Sequence, residues 1–474
     1  MKIFCGCIVL YFLFSFQCIA QESWTLQRCI DYALSRNISV KQSELNEQGA
    51  KENYQQSAAA FFPSLNGNAG QSYYYGRSID PTTNQFTTNE VRSNNFSLNS
   101  SIAIFEGFQL QNSLKQSKLN YQASQFDVAK IKNDISLNVV TYYLQILYNR
   151  ELLKSTQEQL EATKAQRDKT QRMFELGAVS KGVQLDIEAQ YASDEVRLIN
   201  AQSQYDQSVL SLTQLLELET EKGFTIVDPQ IDIPAAGISR PDVNTIYTAA
   251  LNTQPDIKSS EYKMMSAEKG LAIARGGRSP KLSFGGSIST NYSSAALTLA
   301  GLQSSSTPTL IGYTPDSIPV YSIFSESTAI YKQKSFRDQL NDNLSKSIGF
   351  YLTVPIFNGW STKTSIAHAR IGLEQSRLTL ESTKKSLYKS VQQASADANA
   401  GYKKYVANDK SVQSLQEAFK YNEQKFNLGL ISTYDYLLSK NNLAKAQADL
   451  LQSKYDYIFR IKILDFYQGK PLTF

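Results

Sequence analysis

The sequence predicts a mixed α/β membrane protein in which strands cross the bilayer and long helices stand clear of it. Three observations predict this: an internal repeat, pleated segments with one apolar and one small-polar face, and proline-free helices with a seven-residue apolar period. The repeat comes first because it governs architecture. Phe174-Glu-Leu-Gly177-Ala-Val-Ser180 returns 252 positions later as Phe426-Asn-Leu-Gly429-Leu-Ile-Ser432, and Ile104-Phe105-Glu-Gly107 returns at the same displacement as Ile356-Phe357-Asn-Gly359. Pro63 meets its counterpart Pro280 only 217 positions on, so the second copy holds 35 extra residues between Pro280 and Phe357. The chain therefore divides into a leader (1–20), a first repeat (21–217), a linker (218–245) and a second repeat (246–474).

Met1-Lys2, an apolar run from Ile3 to Phe16 and Cys18-Ile19-Ala20 form a secretory signal peptide, with cleavage expected after Ala20. Cys5, Cys7 and Cys18 leave with it, so Cys29 has no partner and the exported fold must stand on packing alone. The net charge of +5 is close to neutral for 474 residues, which argues against a nucleic-acid partner. Beyond the leader no stretch of about 18 apolar residues occurs, so any crossing of a bilayer falls to strands.

Each copy reads as helix, strand, strand, very long helix, tip, helix. The first helix runs from about Thr25 to Ala60, ended by Pro63; its counterpart runs from Ile246 to Gly276. Two β-hairpins follow, over 64–106 and 281–357. In the second, Leu282, Phe284, Gly286, Ile288 and Tyr292 alternate with Ser283, Gly285, Ser287, Ser289 and Asn291. Ile348, Phe350, Leu352, Val354 and Ile356 alternate with Ser347, Gly349, Tyr351, Thr353 and Pro355. In the first, Phe96, Leu98, Ile102 and Ile104 alternate with Asn95, Ser97, Asn99 and Ser101, while Leu65 to Tyr75 shows the weakest pattern and ends in tyrosines. Segments of this length and alternation match barrel strands with a polar interior, and the tyrosines suit an interfacial girdle. The connection Gly76 to Arg92 is moderate; Ser294 to Ser345 reads as a long Ser/Thr/Pro-rich loop on the exterior side.

The proline-free stretches from about Gln109 to Glu175 and from Ser361 to Leu428 would each reach roughly 100 Å as helices. Val139, Ile146, Leu153 and Leu160 recur as Val391, Ala398, Tyr405 and Val412. The return helices carry Leu185, Ala192 and Ile199 against Leu437, Ala444 and Leu451. A strict seven-residue period demands a partner helix and a left-handed supercoil, so these residues are a packing seam.

At the two tips, 176–180 and 428–432, Gly177 and Gly429 supply left-handed helix stops, and Ser180 and Ser432 cap the returning helices. Val179 and Ile431 put apolar residues at an exposed turn, which suits docking to a partner, with Leu176, Gly177, Ser180, Leu428, Gly429 and Ser432 completing the expected docking tips. Catalysis finds no support. His368 is the lone histidine, on a long helix, and Gly276-Gly277-Arg278-Ser279 precedes a strand, the wrong context for a phosphate loop. There is no Cys/His metal cluster and no cofactor motif.

These residues resemble the TolC-like outer-membrane efflux protein family, over nearly the whole mature chain from Trp24-Thr25-Leu26 to about Gln468. The paired tips, the paired junctions Phe105-Glu106-Gly107 and Phe357-Asn358-Gly359, and the repeated element order carry the likeness. The resemblance implies a homotrimer whose four strands per protomer close a 12-stranded barrel in outer-membrane lipid, continued by an α-helical periplasmic tunnel with an equatorial collar from Glu217 to Asn244 and the C-terminal end. It implies tips that meet a periplasmic adaptor, and through it an inner-membrane pump of RND or ABC type, in efflux or type I secretion. It also implies a gate just past the tips, where Asp435 matches the family's acidic position. Here the chain departs from the pattern: the first copy has Val183 there, with Asp186 a turn later, and Leu438 stands a turn beyond Asp435. The rival reading is a periplasmic coiled-coil structural or adaptor protein with a soluble β-domain. The cargo is not legible.

Overall fold

A computed structural model of the chain describes residues 23–79, 84–87, 90–220, 223–229 and 242–473. The signal peptide, including Cys18, lies outside the described residues, as do 230–241 in the middle of the expected collar. The chain forms two compact units: one comprises residues up to Lys51, Leu119–Met265 and Glu374 onward, the other Glu52–Lys118 and Ser266–Leu373.

The first unit is helical. It contains α1 (Leu26–Arg36), most of α2 (Ile38–Ala59), the larger part of α3 (Gln109–Glu175), all of α4 (Lys181–Leu215) and α5 (Val243–Thr253), and half of α6 (Pro255–Gly276). Most of α8 (Ser361–Asn427) and all of α9 (Thr433–Tyr467) complete it. The two long helices have 67 residues each and the two return helices 35 each. α3 contains neither glycine nor proline, so no residue in it interrupts the hydrogen-bond ladder.

The expected continuous first helix is broken in both copies. Asn37, between α1 and α2, takes ψ 130°, and Gln254, between α5 and α6, takes ψ 123°. Each side chain is anchored across the fold: the Asn37 amide donates to the Leu215 carbonyl at 3.3 Å and the Gln254 amide to the Phe466 carbonyl at 3.4 Å. Asn37 Oδ1 also accepts from the Ser39 amide at 2.9 Å, which caps the start of α2. Asn37 and Gln254 stand 217 positions apart, at equivalent places in the two copies.

Two apolar clusters hold this unit. One joins Leu26, Cys29 and Ala33 to Val139, Ile146 and Leu212; the other joins Ile246 and Ala250 to Val391, Ala398 and Leu464. The positions correspond across the copies, each cluster tying a short helix to a long one and to a return helix. Trp24 extends the first cluster: its amide donates to the Thr225 carbonyl at 2.7 Å, and Tyr143 donates to the Val227 carbonyl at 2.8 Å. That places the described part of the linker against this core. The Cys29 thiol is buried there and pushed up to about 12 by desolvation.

The heptad on α3 and α8 faces inward at Val139, Ile146, Val391 and Ala398. On α4 the expected stripe is corrected: Leu185 and Ile199 are exposed, and the buried seven-residue series is Ile187, Asp194, Ala201 and Ser208, two positions along. Periodicity reveals that a helix has a seam but not which of two parallel stripes meets the partner within the chain.

The second unit is built on strands β1 (Ser64–Tyr74), β2 (Ser78–Ile79), β3 (Phe86–Thr87), β4 (Val91–Phe105), β5 (Lys281–Ser293), β6 (Leu297–Tyr313), β7 (Pro319–Gln333) and β8 (Ser345–Thr353), with helix α7 (Phe336–Asp342) before β8. Both predicted hairpins join one antiparallel sheet of order β1-β4-β5-β8, the union being the β4–β5 pair. The register puts Leu98, Ile288, Phe284, Phe350 and Leu352 on one face, and Asn66, Asn99, Ser287 and Ser347 on the other. Phe284 and Phe350 pack on the apolar face with ring centroids 5.0 Å apart, while the Ser287 and Ser347 hydroxyls pair at 2.8 Å on the polar one. Ile104 falls outside the alternation, because a bulge between Ala103 and Phe105 pairs Phe105 with Leu282. Val354 and Ile356 lie beyond the end of β8 and are exposed.

The strand-to-helix junctions repeat in detail. Gly107 and Gly359 have φ +62° and +61°, each followed by an aromatic residue in the same left-handed region, Phe108 at +59° and Trp360 at +67°. At Gly107 a Cβ would meet the Gly276 carbonyl oxygen at 2.4 Å, so only glycine fits; at Gly359 the space is open.

The long segment after β5 is not the irregular loop expected. β6 and β7 pair as an antiparallel ribbon, and α7 returns the chain to β8. Alternating Thr, Ser and aliphatic residues suit a strand, and the prolines fall at the start of β7 or inside a two-stranded ribbon, where a missing donor is tolerated.

Candidate functional site at the helical tips

The tips turn by one device used twice. Gly177 and Gly429 both take φ +73°. The Ala178 amide donates to the Met173 carbonyl at 2.8 Å, and the Leu430 amide to the Lys425 carbonyl at 2.9 Å, closing both helices in the same way. Ser180 Oγ accepts from the Val183 amide at 3.5 Å and Ser432 Oγ from the Asp435 amide at 3.1 Å, starting α4 and α9. Leu176 is 85% exposed and Leu428 73%, and Leu430 is exposed beside them, whereas Val179 and Ile431 are half-buried. The exposed apolar contact at each tip is thus the leucine before the glycine more than the aliphatic residue after it.

Asp435 sits in the first turn of α9 and is exposed; the Ser432 hydroxyl donates to its Oδ2 at 2.7 Å. Cap and carboxylate therefore form one reciprocal unit. Asp186 is exposed on α4.

Next to the tips, Tyr436 is buried, stacks on Phe426 at 4.4 Å, and lies 5.7 Å from Phe419. Burial, with the Glu423 carboxylate adding, pushes its hydroxyl up to about 12. One turn further along, a polar network that the sequence reading missed joins α9 to α3 and α4. Lys440 is 6% exposed and Asp194 1%. Lys440 Nζ donates to Thr163 Oγ1 at 2.5 Å, and that hydroxyl donates to Asp194 Oδ2 at 2.5 Å. Gln190 and Arg197 donate to Asp194 Oδ1 at 2.9 and 3.3 Å, and Arg197 also reaches Asn441 Oδ1 at 3.0 Å. Burial lowers the Lys440 ammonium from its ordinary range; Asp194 opposes that shift and Arg197 reinforces it. A signal was present. Thr433, Tyr436 and Lys440 occupy one stripe of α9, so a lysine continues a buried face.

Among the described residues no cluster of His, Cys, Asp and Glu could hold a metal ion, and no helix is long and apolar enough to cross a membrane. The second surface of functional interest is the Asn/Ser face of the β1-β4-β5-β8 sheet.

The family model described as outer membrane efflux protein matches residues 29–217 and 246–461. The chain belongs to that family. As a member of the outer membrane efflux proteins it is an outer-membrane channel protein that works in transport. The chain is 22% identical over 444 residues to toxin and drug export protein A of Aggregatibacter actinomycetemcomitans, covering 91% of this chain and 83% of that one. It is 20% identical to outer membrane efflux protein BepC of Brucella suis biovar 1, with 93% and 84% covered. Among solved structures it is similar to the Campylobacter jejuni CmeC outer membrane channel, at TM-score 0.72 and 19% identity, with 94% and 85% covered. The family match stops at residue 217 and resumes at 246, leaving out the linker segment between the two copies.

Proposed function

We propose that the chain is the passive exit duct of a tripartite efflux or type I secretion system, assembled as a homotrimer. One observation carries this reading: a four-stranded sheet whose outer strands, β1 and β8, each pair on one side only among the described residues, with an exposed apolar face and an Asn/Ser face opposite. An open edge in lipid is untenable, since no water is there to satisfy its amides. Copies therefore close the sheet, β8 of one against β1 of the next. Two copies would make eight strands, whose interior side chains fill; three make twelve and leave a water-filled bore lined by Asn and Ser. The equal lengths of α3 and α8, and of α4 and α9, support a duplicated half whose helices prolong that bore as a periplasmic tunnel. The exposed stripe of Leu185 and Ile199 on α4 suits a seam with a neighbouring copy.

The tips are the docking points for a periplasmic adaptor, which couples the duct to an inner-membrane pump of RND or ABC type. Leu176, Gly177, Val179 and Ser180 with Leu428, Gly429, Ile431 and Ser432 form that surface, and Asp435 and Asp186 flank the mouth. Energy comes from the pump; the duct holds a path open through the outer membrane. The test is purification in detergent followed by planar-bilayer recording and an export assay. A trimer with stepwise conductance is expected, and replacing Gly429 and Ile431 with arginine should abolish export while trimers persist. A water-soluble monomer would overturn the duct, and normal export by the tip variant would overturn the docking assignment.

A further inference from the structure

The β6–β7 ribbon is the part of this chain the duct does not require. It is anchored firmly at its base. The buried Gln339 of α7 accepts from the Ser293 amide and donates to the Ser293 carbonyl, both at 2.9 Å. The Asn343 amide donates to the Asn291 carbonyl at 2.8 Å, and the Lys334 amide to the Ala296 carbonyl at 2.9 Å. The ribbon is therefore a held arm.

Its two faces differ. Two bulges, between Leu299 and Gly301 and between Leu310 and Gly312, each insert one residue into β6. Without them the alternation would carry the later aliphatic residues of β6 to the opposite side. With them, Leu299, Leu302, Leu310 and Tyr313 share one face with Tyr331 and Ile323 of β7, apolar at base and tip with serines between. The other face holds Thr298, Gln303, Ser305, Thr307 and Thr309 on β6, with Lys332, Thr328 and Ser322 beside Ile330 and Val320 on β7. The six side chains named on the first face are exposed in the single chain, as are Leu297 and Tyr321 on the same face. Between 297 and 333 only Asp316, Glu326 and Lys332 are charged, a far lower density than the quarter typical of soluble domains. A two-stranded ribbon with one bare, mainly apolar face is marginal in water unless something covers that face.

We propose that the cover is the same arm of the neighbouring copies, the arms of a trimer packing apolar face to apolar face at the exterior mouth. This rests on the trimeric duct. The 13 residues of β5 exceed the ~9–11 a strand needs to cross the hydrocarbon, so the arm starts beyond it and acyl chains are not the cover. In a 12-stranded barrel the arms leave the rim four strands apart, about 25 Å along the circumference once the tilt is included. A 17-residue strand reaches roughly 55 Å, ample to meet its neighbours. One face of such a ribbon is about 500 Å², so each pair of neighbouring arms buries about 500 Å² in total, a contact that supplements the closure of the barrel and does not hold the trimer by itself.

The experiment uses the full-length protein in outer-membrane vesicles, with Leu302→Cys, Ile323→Cys or both, and a short bis-maleimide; Cys29 is buried and gives no background. Cross-linked dimers from each single variant are expected at ten-fold or more the yield of Ser305→Cys on the opposite face, and cross-linked trimers from the double variant. Trimers on native gels with equal yields from the two faces would overturn the arm packing and leave the duct intact. Quenching by brominated lipid of a fluorophore attached to the thiol introduced at position 302 or 323 would also overturn it, with lipid as the cover. Absence of trimers altogether would overturn both.

Discussion

Asp194→Ala is the most informative single change in the polar network beside the tips. The carboxylate it removes accepts from Thr163, Gln190 and Arg197, and through Thr163 it steadies the buried Lys440. Deletion leaves an ammonium with 6% exposure without its counter-charge, although Thr163 keeps the Gln159 carbonyl and Gln190 the Asn441 side chain as acceptors. Breaking one side of a buried charged network costs about 3–5 kcal/mol. Taking the lower figure, because Arg197 is partly solvated, the free energy of local opening should fall by ~3 kcal/mol, or roughly a hundred-fold in amide exchange. The measurement is hydrogen exchange on the detergent-solubilised protein, read in peptides around Thr163, Asp194 and Lys440. The paired change Asp194→Leu with Lys440→Met removes both charges and replaces them with apolar bulk, so its exchange should return to within a few fold of the native protein. Unchanged exchange in Asp194→Ala, or equal loosening in the paired variant, would refute the account of the network as a mutually dependent set.

Three further outcomes follow from the same geometry. Gly107→Ala should sharply reduce assembled protein on native gels, because its Cβ meets a carbonyl oxygen at 2.4 Å; Gly359→Ala, in open space, should cost only the ~1–2 kcal/mol of a left-handed residue. Cys29 should resist maleimide at pH 8 in the native protein and react at once in denaturant, since burial holds its thiol near 12; rapid native labelling would contradict that core. Asp435→Asn keeps an acceptor for Ser432 but removes the charge, so a rise in resting conductance with both Asn and Ala marks an electrostatic gate, while a rise with Ala alone marks the cap.

Elements whose cause is local were legible. The glycine stops at 177 and 429, the serine caps after them, and the proline-free 67-residue helices follow from propensity and capping, and each lies where the sequence places it. Pleat alternation exposed the two faces of the sheet, because side-chain direction has period two whatever surrounds the strand. The break at Asn37 was not legible, since asparagine does not forbid a helix and the bend is held by a hydrogen bond to a return helix 178 residues away; the break at Gln254 had a local sign in Pro255, which disfavours helical backbone at the residue before it. The β6–β7 ribbon was hidden by its Ser/Thr/Pro content, which also describes loops.

By itself the sequence determined that a half is repeated, where each copy turns, which faces of its strands are apolar, and that helices of great length need a seam. Tertiary structure alone decided which seam is buried within the chain, as the shift from Leu185 and Ile199 to Ile187 and Asp194 shows. It alone brought Lys440 to Thr163 and Asp194, joined the hairpins through β4 and β5, and set the ribbon's register with two bulges. The reason is physical: caps, turns and pleats depend on neighbours a few residues away, whereas burial depends on which distant surface arrives opposite.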